Sequence, residues 1–118
     1  MDHLPENLET EVAIREQMVA YEQKDLPMFM SYFDDEISLF LNNEEVSFVS
    51  GKEKVATYYQ KLFDDSPSLK VKIHKRMATG DFVLLEEEIK GYRGQDSFKT
   101  MAVYELKNKK ISKARFYI

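Results

Sequence analysis

The sequence predicts a single α+β domain, with helices in the first half of the chain and the main sheet in the second. Three segments before position 65 place apolar residues at helical spacing, whereas from position 69 apolar and polar residues alternate. Helices segregated from a run of strands are typical of α+β folds and not of doubly wound α/β folds. The 118 residues correspond to one domain, which we expect to span residues 1–118.

Two consecutive helices are predicted at the start. The first runs from about Glu6 to Lys24, where Met18 and Tyr21 belong to an apolar stripe among acidic residues. Asp25 is then a suitable N-cap for a short second helix, which tolerates Pro27 in its first turn.

A hairpin and a third helix are predicted next. The β-rich segments Glu36–Leu41 and Val46–Ser50 flank a polar turn at residues 42–45. Gly51 ends the hairpin, and apolar residues share one face of a helix at Lys52–Asp64.

Four strands follow, separated by turn residues such as Gly80 and Gly94. The predicted order of elements is therefore α-α-β-β-α-β-β-β-β, and which face of the last strand points inward stays open. The strands are Leu69–Thr79, Phe82–Tyr92, Ser97–Lys107 and Ile111–Ile118.

The register of the first long hairpin is predicted by requiring its apolar residues to share one face. A three-residue loop at positions 79–81 sets Ile73 opposite Glu87 and His74 opposite Glu86. The same register turns Met77 toward the apolar face. It also places Glu87 on that face.

A carboxyl group on an apolar face needs hydrogen-bond partners or a raised pKa. We interpret Glu87 as a candidate pocket acid or base. The alternative is a structural ion pair with Lys75, which lies diagonal to it in this register. A bulge near Lys75 would shift half of the strand.

Composition excludes several kinds of site. The chain has no Cys and only two histidines, His3 and His74, so we expect no metal. The acidic clusters at residues 34–36 and 86–88 cannot converge on one ion, because consecutive strand residues point to opposite faces. Without a Gly-rich phosphate loop, no cofactor is expected.

Charge and hydropathy bear on partners and location. With 17 basic and 21 acidic residues the net charge is −4, so no nucleic-acid partner is expected. No apolar run approaches the roughly 20 residues of a membrane helix, and the first residues lack the apolar core of a signal peptide. We therefore expect a cytoplasmic protein without a membrane partner.

Short motifs occur in a characteristic order over nearly the whole chain. They are Ala20–Leu26 running into Tyr32–Ile37, Gly51–Glu53 before Tyr59, Gly80-Asp81 before Glu87 and Gly91, and Val103–Leu106 before Ile111. In this order they resemble the nuclear-transport-factor-2-like superfamily, specifically its SnoaL-like and ketosteroid-isomerase-like group. The resemblance implies a cone-shaped, curved antiparallel sheet capped by three helices and enclosing a pocket. It also implies a homodimer joined through the outer face of the sheet.

The isomerase branch of that group uses a carboxylate base, with a tyrosine and a protonated aspartate as hydrogen-bond donors. Aligned on the shared motifs, these three positions fall on Leu41, Gln17 and Ala102 here. Because Leu and Ala cannot transfer a proton, we expect ketosteroid isomerisation by that mechanism to be absent.

The resemblance, together with the aromatic residues on predicted inner faces, suggests a pocket for a small, largely apolar molecule. Whether the protein is an enzyme stays open: Glu87 would serve isomerase, dehydratase or hydrolase-type acid/base chemistry. The alternative is a non-catalytic dimeric interaction module with a filled pocket. The candidate pocket residues are Gln17, Tyr21, Phe33, Phe40, Leu41, Tyr59, Phe63, Ala102 and Tyr104.

Overall fold

A computed structural model describes residues 6–118 of the chain, with side chains from residue 12 onward. His3 lies outside the described residues. The helices are α1 (Glu6–Gln23), α2 (Leu26–Met30) and α3 (Lys52–Asp65). The carboxylate of Asp25 caps α2 by accepting a hydrogen bond from the backbone N–H of Met28 at 3.2 Å.

Six strands form one curved, open sheet in the order β2-β1-β6-β5-β4-β3. Neighbouring strands are antiparallel except for β1 and β6, which run parallel. The predicted α+β class and order of elements are confirmed. The strands are β1 (Phe33–Leu41), β2 (Val49–Ser50), β3 (Lys70–Thr79), β4 (Phe82–Lys90), β5 (Phe98–Lys107) and β6 (Lys110–Tyr117).

The first hairpin differs most from its prediction. Strand β1 begins three residues earlier than expected, at Phe33 instead of Glu36. Strand β2 has only two residues, because it pairs with β1 only at Leu39–Val49 and Ser38–Ser50. Residues 42–48 form the loop between them, so the second strand begins at Val49 and not at Val46 as predicted.

A bulge at His74 divides the β3–β4 hairpin into two registers. Ile73 lies opposite Glu87, as predicted, but Lys75 and not His74 lies opposite Glu86. The predicted pairing of His74 with Glu86 is therefore wrong. The extra residue turns the His74 ring toward Glu88, with its Nε2 2.8 Å from that carboxylate.

The same bulge corrects the second half of β3. Thr79 pairs directly with Phe82, so the connecting turn has two residues instead of three. Met77 is 58% exposed and does not belong to the apolar face, whereas Ala78 packs against the core. Bulges of this kind bend a strand. Another change of register occurs between Glu105 and Leu106 where β5 pairs with β6.

The helices cover the inner face of the curved sheet. Helix α1 contacts β3 and β4, α3 contacts β1 and β2, and α2 contacts both of these helices. The Glu22 carboxylate anchors α1 by accepting a hydrogen bond from the Val71 N–H at 2.9 Å. Among residues 6–118, no helix combines the length and apolar character that crossing a membrane requires.

Candidate functional site

A cavity of about 650 Å³ lies between the helices and the inner face of the sheet. Half of the residues that line it are aromatic, which gives a ligand large apolar contact surfaces. Four lining residues, Phe48, Gln95, Lys99 and Ile118, are exposed. A cavity of this size and composition is typical of small-molecule sites.

Most of the predicted pocket residues meet at this cavity. They come from α1, α3 and strands β1, β4 and β5, so only the tertiary fold brings them together. Those that line it are Gln17, Tyr21, Phe33, Leu41, Tyr59, Glu87 and Tyr104.

Three predicted residues lie elsewhere. Phe40 is on the outer face, because alternation along β1 turns Leu39 and Leu41 inward, and its ring lies 4.6 Å from the Arg115 guanidinium. Phe63 packs within the helical core against Tyr21, with ring centroids 5.5 Å apart. Ala102 is fully buried on β5, and its methyl group does not reach the cavity.

Glu87 projects into the cavity from the middle of β4. Its register partners are Ile73 on β3 and Thr100 on β5, and the residue is only 3% exposed. No hydrogen bond or ion pair joins Glu87 to another described residue. Burial therefore raises the pKa of its carboxyl group to about 7.

The ion pair with Lys75 that we considered as an alternative is absent. The Lys75 side chain is 82% exposed, and its ammonium lies 4.0 Å from Glu86 on the outer face of the sheet. The bulge at His74 causes this, since it places Lys75 beside Glu86 in the ladder.

Three tyrosines lie within the electrostatic field of Glu87. Burial raises the pKa values of Tyr21, Tyr59 and Tyr104, and the negative charge of Glu87 raises them further. Their hydroxyls therefore stay protonated. They are neutral hydrogen-bond donors around a carboxyl group that titrates near neutral pH.

Gln17 is the other notable polar group in the cavity wall. It lies on α1 and is 0% exposed, and neither its amide nitrogen nor its amide oxygen has a hydrogen-bond partner among the described residues. Buried polar atoms without partners are rare in folded proteins and need an explanation. Thr100 differs, since its hydroxyl donates to the Tyr117 carbonyl at 2.8 Å.

Sequence reasoning missed several lining residues near the ends of strands. Tyr92 was predicted as the last residue of the strand Phe82–Tyr92, but it belongs to a short 3-10 turn that follows β4. Burial, together with the charge of Tyr92 and a hydrogen bond with it, raises the pKa of Tyr58. Phe98 and Thr100 share the alternation of Tyr104 along β5, a signal that was available. The structure also decides the face of β6, with Phe116 at the cavity.

These residues can move a proton and stabilise negative charge. A carboxyl group with a pKa near 7 can give or take a proton at neutral pH. Neutral tyrosine hydroxyls can donate to an oxygen atom that gains charge. Within the described part of the chain, no group of three acidic or imidazole side chains is placed to hold a metal ion.

Comparisons with known proteins agree with this architecture. The family model for the SnoaL-like domain matches residues 14–114. A search of curated proteins found no match. Among solved structures, the chain is similar to an uncharacterised cystatin-fold protein from Novosphingobium aromaticivorans, with a TM-score of 0.81 and 23% identity over 92% of this chain and 96% of that one.

Two further solved structures have the same fold. One is an LEH-like epoxide hydrolase from M. tuberculosis, with a TM-score of 0.80 and 23% identity over 96% of this chain and 84% of that chain. The other is an NTF2-like protein of unknown function from Cytophaga hutchinsonii, with a TM-score of 0.76 and 17% identity over 99% of this chain and 93% of that chain. At these identities the likeness concerns the fold alone.

Proposed function

The chain belongs to the SnoaL-like domain family, and on that premise we propose that it binds a small, largely apolar molecule and acts on it through Glu87 as a general acid or base. The observation that carries the proposal is a buried carboxyl group without a partner, set in an aromatic-lined cavity. A buried carboxyl group without a partner lowers the stability of the fold, and titratable groups in such environments cluster at functional sites.

The proposed chemistry follows from the protonation states. Glu87, with a pKa of about 7, takes a proton from the ligand as the carboxylate or gives one as the acid. The hydroxyls of Tyr21, Tyr59 and Tyr104 stabilise negative charge that develops on a ligand oxygen. Isomerase, dehydratase and hydrolase-type reactions all fit such a site.

The alternative of an interaction module with a filled pocket has less support. A cavity of about 650 Å³ leaves room for a ligand, and a filled apolar core would be costly around the buried carboxyl group of Glu87 and the unpaired amide of Gln17. We retain from the sequence the proposals of a homodimer and of a cytoplasmic location.

Methionine methyl NMR tests binding in the cavity directly. Met18 lines the cavity, whereas Met77 is 58% exposed on the sheet and serves as an internal control. With 2-acetylnaphthalene as the probe, we expect the Met18 signal to shift and the Met77 signal to stay in place. A shift confined to Met77 would contradict the proposal.

Matched carboxylate variants test the chemistry. In a screen of enolisable ketones and epoxides, Glu87→Gln should abolish whatever turnover the wild type shows. Glu86→Gln, one residue away on the opposite face, should retain it. Equal turnover in both variants would exclude Glu87 as the acid or base.

A further inference from the structure

The unsatisfied amide of Gln17 restricts what kind of molecule the cavity takes. Among the other polar groups of the cavity wall, Thr100 donates to a backbone carbonyl at 2.8 Å, and the tyrosine hydroxyls can rotate to suit a ligand. The Gln17 side chain offers an N–H donor and a carbonyl acceptor side by side, and both lack partners among the described residues. A ligand that satisfies only one of them leaves the other buried and unpaired.

The charge of the ligand is restricted too. Lys99 is the basic residue among those lining the cavity, but its ammonium lies 3.8 Å from Glu86 on the outer face of the sheet. An anionic ligand would therefore meet the Glu87 carboxylate without a compensating cation among the residues that line the cavity. An ammonium group would suit Glu87 and the Gln17 oxygen, but it has no acceptor for the Gln17 N–H.

Resting on the proposed function, we propose that the buried end of the ligand is uncharged and carries a carbonyl acceptor directly beside an N–H donor, as in a carboxamide. Gln17 pairs with this group through two hydrogen bonds, while the apolar part of the ligand lies among the aromatic rings. Because the amide of Gln17 is 0% exposed, the ligand reaches it only after a small displacement of the cavity wall.

A series of naphthyl probes tests this pairing. The probes share one apolar body and differ in their end group: naphthalene-2-carboxamide, 2-acetylnaphthalene, 2-naphthoate and 2-naphthylmethylammonium. The chain has no Trp, so naphthyl fluorescence reports binding with little background from the protein. We expect the carboxamide to bind at least about tenfold more tightly than the ketone, which lacks the donor.

The variant Gln17→Leu distinguishes the contribution of the amide to binding affinity from that of the apolar cavity. It should bind the carboxamide and the ketone with equal affinity, because Leu offers neither the donor nor the acceptor that distinguishes the two probes. Its urea midpoint should equal or exceed that of the wild type, because Leu removes an unsatisfied polar group. If Gln17→Leu does not fold, Gln17→Met keeps the length of the side chain and serves the same purpose.

Each outcome bears on one of the two proposals. Equal affinities for carboxamide and ketone, in wild type and variant alike, would overturn the pairing with Gln17 and leave the apolar cavity intact. Tightest binding of the ammonium or the carboxylate probe would overturn it as well. If no probe bound or shifted the Met18 methyl signal, both the pairing and the proposed function would fail.

Discussion

At the scale of single residues, Glu87 gives the stability of the protein a pH dependence that can be measured. Its pKa rises from 4.5 to about 7 on folding because of burial. At pH values between 4.5 and about 7, the Glu87 carboxyl group is ionised in the unfolded chain and protonated in the folded chain. The folded state then binds more protons than the unfolded state. The contribution of Glu87 to the free energy of unfolding therefore falls as pH rises through this window and is constant above it.

We therefore predict a pH-dependent difference between wild type and Glu87→Gln. At 1.36 kcal/mol per unit, the shift to about 7 corresponds to about 3 kcal/mol of free energy of unfolding. Glu87→Gln should be more stable than wild type by up to that amount at pH 8 and nearly equal to it at pH 4.5. Urea denaturation of both proteins at pH 8 and at pH 4.5 measures this difference in the free energy of unfolding.

The control for that experiment is Glu86→Gln. Glu86 lies near two lysines on the outer face, at 4.0 Å from Lys75 and 3.8 Å from Lys99, so its substitution should leave the pH dependence of unfolding in place. A Glu87→Gln variant less stable than wild type at pH 8 would mean that the carboxylate is paired in solution.

A second prediction at this scale concerns ketosteroid isomerisation. Leu41 and Gln17 line the cavity and Ala102 lies in the core, so none of the three positions supplies the groups of that mechanism. We expect no conversion of a 3-keto-Δ5 steroid, measured by the ultraviolet absorbance of the conjugated product. Turnover that Glu87→Gln abolished would show that a carboxyl group on β4 replaces the usual base.

At the scale of elements, the loop after β4 places Tyr92 at the cavity. Gly91 has a φ of +73°, and the backbone N–H of Arg93 donates to the Ser66 hydroxyl at 2.9 Å. A Cβ atom on Gly91 would lie 2.3 Å from the backbone oxygen of Ser68. Only glycine fits this contact, because the neighbouring atoms belong to the backbone and cannot turn away.

We predict that Gly91→Ala destabilises the fold far more than Gly94→Ala. Both residues have positive φ, +73° and +75°, but a Cβ on Gly94 meets nothing within 4 Å. Gly94→Ala should cost about 1 kcal/mol for backbone strain, and Gly91→Ala about 3 kcal/mol or more, since the steric clash is added. Urea unfolding of both variants measures the difference, and equal losses would show that the loop can move away from Ser68.

At the scale of the whole molecule, the outer face of the sheet is the surface proposed for dimerisation. Met77 and Met101 are 58% and 42% exposed there, beside the pairs that Glu86 makes with lysines. An interface of this kind should bury on the order of 1,200–2,000 Å² in total. We predict a dimer at micromolar concentration, measured by light scattering.

A charge substitution localises that interface. Met101→Glu should shift the protein toward the monomer, because it places an unpaired charge in the proposed interface. Val19→Glu, at an exposed apolar position on α1, should leave the dimer unchanged. A monomeric wild type, or equal effects of the two variants, would exclude the outer sheet face as the interface.

Much of the architecture could be predicted from the sequence because it depends on local periodicity. Helical spacing, the Asp25 cap and alternation after position 69 predict the order of elements to within a few residues at most boundaries. Alternation also predicts that Glu87 lies on the apolar face, since Ile73 and Glu87 precede the bulge in the ladder.

The tertiary structure decided what depends on distant parts of the chain. The bulge at His74 removes Lys75 from Glu87, and periodicity cannot locate a single inserted residue. Tyr92 lies at the cavity, next to the point where Gly91 packs against the backbone of Ser68. Local propensity acts over a few neighbouring residues, whereas a cavity and the pKa of a carboxyl group inside it depend on every element packed around them.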